Sequence, residues 1–218
     1  MGSDHFMAPS ARLPDHILPE EPRAADDEDA RHAGRMGGPA KKLPFPRGAT
    51  SKAIYRGEND PRGARMELIQ GVQVRALRQI HDERGYLMEM LRSDWPEFER
   101  FGQGYVTIGY PGIVKGWHYH KKQTDHFVVV HGTAKVVCYD GRDDSPTRGR
   151  VNEFFPGEKN PMLIKIPPLV LHGFKCVGHE PVYVMNFPTE LYDYEEPDEF
   201  RVPHDSKDIP YDWDVQMR

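Results

Sequence analysis

Short apolar runs separated by turn residues fill the chain from Met66 onward, whereas the residues before it show no sustained hydrophobic period. Runs of this length with alternating polarity are typical of β-strands, and many of them at close spacing predict a sandwich or barrel. The predicted strands are Val72–Leu77, Gly85–Leu91, Tyr105–Tyr110, Val114–His120, His126–Val130, Ala134–Tyr139, Glu153–Phe155, Met162–Ile166, Val170–Cys176 and Val182–Asn186. One short helix is predicted to begin at Ser93 or Asp94, either of which is a good helix cap. We therefore expect an all-β domain over residues 66–218.

The amino-terminal segment, residues 1–65, differs in composition from the rest of the chain. It carries much of the Pro, Gly, Ala and charge, with acids concentrated between Glu20 and Asp29. Such a segment buries too little apolar surface to offset the entropy lost on ordering, so we expect it to be disordered. The alternative is an arm that becomes ordered only against a partner subunit.

Composition narrows the class of protein. A length of 218 residues suits one domain plus a tail, and the net charge of −5 with a pI near 6.1 argues against a nucleic-acid-binding surface. No run approaches the roughly 20 apolar residues of a membrane span. Cys138 and Cys176 both lie in apolar runs, which favours buried reduced thiols in a cytoplasmic protein and leaves a single disulfide open.

The candidate chemistry is concentrated in the motif G-x5-H-x-H-x4-D-x6-G, which begins at Gly112. Side chains alternate along a strand, so His118 and His120 share one face while Trp117 and Tyr119 occupy the other. Asp125 precedes a β-branched run and is expected at the start of the next strand. His172 adds a third imidazole inside another apolar run. Each of these could be ordinary alone, Asp125 as a turn residue and His172 as a buried core histidine, but together they favour a functional site.

Two kinds of chemistry fit this residue set. Three neutral imidazoles and a carboxylate are suitable ligands for a single divalent metal such as Zn, Fe, Mn or Ni. The other chemistry needs no metal, because a neutral histidine with a pKa of about 6.5 is a good base for a proton next to a ketone. That reaction also needs an acid, and the available tyrosines are Tyr139, Tyr183, Tyr192 and Tyr194. The residues alone leave both chemistries open.

Several motifs in order across residues 68–213 resemble the cupin superfamily and, within it, the dTDP-4-dehydrorhamnose 3,5-epimerase family. They are Asp82–Glu89, Lys115–Tyr119, Ser145–Thr147, Ile166–Pro168 with His172–Phe174, and Ile209–Trp213. The resemblance implies a jelly-roll β-barrel that forms a homodimer and requires no cofactor. It also implies an epimerase that acts on a nucleotide-activated 4-keto-6-deoxy sugar, removing a proton at C3 or C5.

The resemblance also implies roles for individual residues. His118 would be the catalytic base, and Arg84, Glu89, Lys115 and His172 would bind the nucleotide sugar, Lys115 standing where the family has a phosphate-contacting arginine.

Four positions depart from the family pattern. Asp125 replaces a lysine, His120 replaces a glutamine, the family's tyrosine acid falls near Met185 or Asn186, and the aspartate partner of the base would lie beyond Trp213. The pair His118 and His120 is also similar to the His-x-His strand of cupin sugar 3,4-ketoisomerases.

Three hypotheses follow for the function. The first is an epimerase or isomerase that removes a proton from a nucleotide-linked 4-keto sugar through His118. The second is a metal-dependent cupin enzyme with His118, His120, Asp125 and His172 around one ion, and the first two are compatible if the ion stabilises the enolate. The third is a cupin that binds a carbohydrate without catalysis. In each case the partner is a small molecule.

Overall fold

The computed structural model describes residues 52–55 and 67–215, and the described residues form thirteen β-strands and no helix. The strands are β1 Lys52–Tyr55, β2 Gln73–Ala76, β3 Gln79–Asp82, β4 Gly85–Met88, β5 Tyr105–Gly109, β6 Val114–Tyr119, β7 Asp125–His131, β8 Ala134–Tyr139, β9 Val151–Phe154, β10 Met162–Ile166, β11 Leu171–Cys176, β12 Val182–Asn186 and β13 Phe200–Arg201.

Two large antiparallel sheets make the jelly roll. One has the order β1-β9-β8-β11-β6-β13 and the other the order β2-β10-β7-β12-β5, while β3 and β4 form a separate hairpin. Among the described strands, β1 and β9 are the one parallel pair, and all the other pairs are antiparallel. The all-β cupin fold predicted from the sequence is confirmed.

Period-two alternation explains how the strands build the core. Along β8, Ala134, Val136 and Cys138 belong to the main buried cluster, whereas Val137 and Tyr139 belong to a second cluster. Side chains of the other sheet, such as Val129 and Val184, also contribute to the main cluster, so it fills the space between the sheets. Both cysteines, Cys138 and Cys176, are free and buried in this layer.

The carboxyl-terminal segment supports the barrel from outside. Ile209 and Trp213 pack on Trp117, which stands on the face of β6 opposite to His118. The ammonium group of Lys135 donates a hydrogen bond to the carbonyl of Trp213 at 2.7 Å. This packing fixes the outer face of the strand that carries the histidine pair.

The ten predicted strands are all present, three of them with the predicted ends and the others with ends shifted by one to three residues, and the short strands β1, β3 and β13 were not predicted. The predicted helix at Ser93 is wrong, because residues 93–97 form successive turns. Trp95 and Phe98 each donate to the carbonyl three residues earlier, and Pro96 between them has no N–H to continue a helical ladder. No helix among the described residues has the length and apolarity needed to cross a membrane. The predicted arm, residues 1–65, lies outside the described residues apart from β1, so its disorder and the domain boundary after residue 65 stay predictions.

Candidate active site

A cavity of about 1150 Å³ opens between the two sheets, lined along β6 from Val114 to His118 and by Phe174 of β11. The inward-facing positions of both sheets supply its walls: His118 comes from β6, Tyr105 from β5 and Asn186 from β12. Asp125 on β7 and His172 on β11 lie in the layer just behind, each only 1% exposed. Because alternation brings these side chains from opposite sheets to one place, polar chemistry is concentrated at one end of an otherwise apolar barrel.

An irregularity in strand pairing brings two of the imidazoles together. His172 lies opposite His118, but the next residue, Gly173, lies opposite Gly116, so Trp117 is skipped in the ladder. A Cβ atom on Gly173 would lie only 2.7 Å from the Cα of Gly116, and glycine is therefore required for this approach. The ring centroids of His118 and His172 are 4.1 Å apart as a result.

Asp125 is the centre of the cluster. Its Oδ1 accepts hydrogen bonds from the side-chain amides of Gln123 and Asn186, both at 2.8 Å. Its Oδ2 lies 3.2 Å from Nε2 of His120 and 3.0 Å from Nε2 of His172. One nitrogen of each histidine and one oxygen of Asp125 all lie within 4.8 Å of one another. The structure thus brings together all four residues that the sequence predicted.

Backbone carbonyls determine which ring nitrogens of two histidines carry a proton. Nδ1 of His172 lies 2.9 Å from the carbonyl of Val170, and Nδ1 of His120 contacts the carbonyl of Asp198. A carbonyl oxygen only accepts, so each Nδ1 is the N–H donor, and each Nε2 faces the carboxylate. Nε2 of His172 makes no hydrogen bond despite its short distance from Asp125. A lone pair held against a carboxylate at this distance is unfavourable unless a proton or a cation compensates.

The pKa values of Asp125 and His118 are lowered in the folded protein, whereas the pKa of His120 is raised. Burial raises the pKa of Asp125, but the neighbouring imidazoles of His120 and His172 outweigh it and hold that pKa well below the ordinary value. Burial lowers the pKa of His120, but Asp125 and the carbonyl of Asp198 outweigh it and raise that pKa. For His118, burial and the adjacent His172 lower the pKa well below its ordinary value. His118 is therefore a neutral imidazole at neutral pH, with a lone pair available in the cavity.

Asp198 ties the segment after β12 to the cluster. Its carboxylate accepts the backbone N–H groups of Lys121, Lys122 and Gln123 at 2.8 to 3.1 Å, and its carbonyl accepts Nδ1–H of His120. One residue of the tail therefore fixes both the ring of His120 and the loop that leads to Asp125.

The remaining predicted residues divide into two groups. Lys115 lines the cavity, as do Tyr192 and Tyr194 near its mouth. Arg84 lies on the exposed β3–β4 hairpin bonded to Asp82, and Glu89 just after it binds Arg92 at 2.5 Å. Neither Arg84 nor Glu89 is among the described residues that line the cavity, so their assignment stays a prediction.

Two of the candidate tyrosines lie away from the cavity. Tyr139 is buried in the cluster on the outer face of the six-stranded sheet. Tyr183 stands beside the ring of His131 on β7 and does not appear in the cavity wall of the described chain.

Four residues of the site were missed as functional: Tyr105, Gln123, Asn186 and Asp198. The sequence singles out Asn186 only as a position near which the family tyrosine would fall. Tyr105 and Asp198 are far from the histidine motif in sequence and reach it through strand pairing and the returning tail.

The fold and the cluster define a jelly-roll cupin with a histidine-lined cavity between its sheets. Residues 80–200 match the family described as the polysaccharide biosynthesis C-terminal domain. The chain is 47% identical over 154 residues to the probable low-salt glycan biosynthesis epimerase Agl13 of Haloferax volcanii, covering 70% of this chain and 99% of that protein. The chain belongs to the polysaccharide biosynthesis C-terminal domain family.

Solved structures extend the comparison. A dTDP sugar isomerase from Desulfovibrio desulfuricans is 38% identical with a TM-score of 0.63, covering 66% of this chain and 92% of that one. A dTDP-4-dehydrorhamnose 3,5-epimerase from Bacillus anthracis, 24% identical with a TM-score of 0.60, shares the fold over 67% of this chain and 87% of that one. The predicted kinship with these epimerase-like cupins is confirmed, and so is the predicted class, an epimerase or isomerase of sugars.

Proposed function

We propose that the chain is an epimerase or isomerase of a nucleotide-linked 4-keto-6-deoxy sugar, in which His118 removes the proton next to the ketone. The observation that carries this proposal is the state of His118. It lines a cavity large enough for a nucleotide sugar, and among the described residues no hydrogen bond engages either of its ring nitrogens. Burial and His172 lower its pKa, so the ring is neutral and ready to accept a proton. The epimerase and isomerase names of the relatives support the same reaction class.

The cavity wall also supports a phosphorylated substrate. Lys115 and Arg201 line it, and Arg201 on β13 is paired in register with His118. Tyr192 and Tyr194 stand at the mouth with ring centroids 4.9 Å apart. Cationic side chains suit a diphosphate and aromatic faces suit a nucleobase, so these groups would hold the nucleotide outside and place the sugar near His118. His172 would bind the sugar only indirectly, by fixing the ring of His118.

The test is solvent exchange in D₂O with thymidine-, uridine- and guanosine-diphosphate 4-keto-6-deoxy sugars, followed by proton NMR. We expect deuterium at C3 or C5 with wild type. The exchange rate should fall roughly 10²- to 10⁴-fold in His118→Asn, the range for loss of a general base. His131→Asn is the matched control, because His131 binds Glu158 on the surface and should leave exchange unchanged. Binding of these nucleotides without any exchange would contradict the proposal and favour a carbohydrate-binding cupin.

We propose as a second candidate that the cluster holds one divalent cation. The supporting observation is that His120 and His172 commit their Nδ1 protons to carbonyls and direct both Nε2 atoms to Oδ2 of Asp125. This is the arrangement of histidine ligands whose second nitrogen is oriented by a backbone carbonyl. His118, His120, Asp125 and His172 would be the ligands, and a bound ion would supply positive charge next to the sugar ketone.

Elemental analysis tests the cation directly, on protein purified without a nickel column or chelator. One equivalent of metal in wild type and its loss in His120→Ala are expected, with His131→Asn as the control that keeps the metal. Unchanged occupancy in His120→Ala would refute that ligand assignment. If the protein binds no metal even after incubation with divalent ions, the cluster holds a proton and not a cation.

Arg84 and Glu89 require a separate explanation, and we propose that a homodimer provides it. The β3–β4 hairpin exposes Ile80, Tyr86 and Leu87 by 51%, 48% and 60%. Packing of this hairpin on a second copy would cover the apolar side chains and bring its charged neighbours toward another cavity. Sedimentation equilibrium should give a dimer for wild type and a monomer for Leu87→Glu. A wild-type monomer at about 100 μM, well above a typical micromolar Kd, would refute it.

A further inference from the structure

Tyr105 occupies the place in space where the family resemblance requires an acid. The expected tyrosine falls near Met185 or Asn186 on β12, and neither can donate a proton as a phenol does. β12 is paired with β5, and in that register Asn186 lies directly opposite Tyr105. Both side chains line the cavity. The phenol absent from one strand is therefore present on its neighbour.

The hydrogen bonds around Asn186 fix the direction of the phenolic proton. The backbone N–H of His126 donates to Oδ1 of Asn186 at 3.0 Å, which defines the amide orientation. Its Nδ2 therefore donates both to Oδ1 of Asp125 at 2.8 Å and to the hydroxyl oxygen of Tyr105 at 2.9 Å. The hydroxyl oxygen is the acceptor in that contact, so its own proton remains available for a partner in the cavity.

Tyr105 and His118 belong to opposite walls. β5 is in the five-stranded sheet and β6 in the six-stranded sheet. Both side chains line the cavity of about 1150 Å³, and a cavity of that volume has room for a sugar ring. An inverting proton exchange needs a base on one face of the carbon and an acid on the other, and this is the arrangement that the two walls provide.

We propose that Tyr105 is the general acid that returns the proton to the sugar carbon, on the face opposite to His118; this rests on the proposed function. His118 takes the proton from the carbon, and the electron pair of that C–H bond forms the enolate. The O–H bond of Tyr105 then breaks, its proton forms the new C–H bond, and its electron pair stays on the phenolate oxygen. The Nδ2–H of Asn186 stabilises that oxygen, and solvent in the cavity resets both side chains.

Two further observations agree with this role. Burial and the charge of Asp125 raise the pKa of Tyr105 to about 12, so the group carries its proton throughout the neutral range. Tyr192 and Tyr194, the other tyrosines of the cavity wall, pack against each other with ring centroids 4.9 Å apart. Of these three cavity tyrosines, Tyr105 is the one that hydrogen bonds through Asn186 connect to the cluster.

The experiment measures exchange and inversion together, by NMR of the substrate panel in D₂O. Tyr105→Phe removes one oxygen and should still exchange the substrate proton through His118, while inversion falls roughly 10²- to 10⁴-fold. Tyr183→Phe is the matched control on β12, outside the cavity, and should behave as wild type. Thermal unfolding and nucleotide binding establish that Tyr105→Phe is folded and competent.

Each other outcome refutes a specific statement. If wild type inverts and Tyr105→Phe inverts equally fast, Tyr105 is not the acid and the proposed function stands. If folded Tyr105→Phe loses exchange as well as inversion, the group acts before protonation and the assigned role is wrong. If wild type neither exchanges nor inverts any substrate of the panel, the proposed function fails and the role of Tyr105 fails with it.

Discussion

Replacing Asp125 by asparagine distinguishes a charged cluster from a neutral one. The amide has the shape of the carboxylate, and its oxygen still accepts from Gln123 and Asn186 as Oδ1 does now. Its NH₂ group then faces Nε2 of His120 and His172 in place of Oδ2. An NH₂ group satisfies a neutral imidazole nitrogen but repels a protonated one. The free-energy cost of Asp125→Asn should therefore depend on pH.

The pKa shifts set the sign of that dependence. The pKa of His120 is raised in the folded protein, so its stabilising contribution is complete below the unfolded histidine value of about 6.5. That contribution is lost as pH rises through the folded pKa. The pKa of Asp125 is lowered, so its contribution is present above the ordinary value of 3.8 and is lost only in stronger acid. Both charges therefore act together in the range of about pH 5 to 6.

The free-energy cost of Asp125→Asn depends on which interaction the substitution breaks at each pH. Near pH 5.5, Asp125→Asn removes one partner of a buried ion pair, which costs about 3–5 kcal/mol. Above the folded pKa of His120, where its ring is neutral, the hydrogen bonds that Gln123 and Asn186 donate to Oδ1 change from charge-assisted to neutral, at a total cost of about 1–2 kcal/mol. Urea unfolding at both pH values, with chelator present, measures the difference.

Asp140→Asn supplies the control. Asp140 is also fully buried, but its partners are Arg142, Ser145 and Thr147 and include no histidine. The loss in the free energy of unfolding caused by Asp140→Asn should be the same at both pH values. If Asp125→Asn costs the same at both pH values too, the cluster holds no titrating ion pair and the assignment of charge to His120 is wrong.

Two further changes test how the site is positioned. Gly173→Ala should destabilise the fold by about 1–3 kcal/mol in urea unfolding, because its Cβ would lie only 2.7 Å from the Cα of Gly116. The control is Gly178→Ala, whose Cβ would meet nothing closer than 3.9 Å and which should have little effect on stability. Equal losses of stability in the two variants would refute the close-approach argument. Asp198→Ala removes the acceptor of three backbone N–H groups and should cost about 1–2 kcal/mol and slow solvent exchange. Asp193→Ala, which removes an exposed acceptor of two N–H groups, is its control, and matching losses of exchange would show that Asp198 does not position the site.

The sequence was sufficient for the parts of the site that depend on local periodicity. His118 and His120 are two residues apart on one strand, so alternation alone places them on a common face. The same period identifies the strands of the core, as β8 shows with its alternation between inner and outer clusters. Asp125 could be placed at a strand start because a β-branched run follows it, and β7 does begin there.

The rest depends on contacts that local patterns do not encode. Tyr105 reaches Asn186 only because β5 lies at the edge beside β12, a neighbour 81 residues away in sequence. Asp198 reaches the loop after His120 because the tail returns to the edge of the six-stranded sheet, where β13 pairs with β6. The skipped Trp117 in the β6–β11 ladder, which brings His118 to His172, is likewise a property of the paired strands.

The exchange of the family's lysine for Asp125 changes what the site must supply during the reaction. An enolate that develops beside a buried carboxylate is destabilised by like charge, so positive charge has to be present in the cluster. Protonated His120 supplies that charge only while the pH is below its folded pKa, whereas a bound divalent ion would supply it at higher pH as well. A rate of exchange that declines as His120 loses its proton therefore indicates a proton-bound cluster. A rate that persists in base and is abolished by chelator indicates a metal-bound one. The pH profile of the exchange rate of wild type, with and without chelator, therefore decides whether a proton on His120 or a bound metal ion neutralises Asp125, the residue that stands where the family has a lysine.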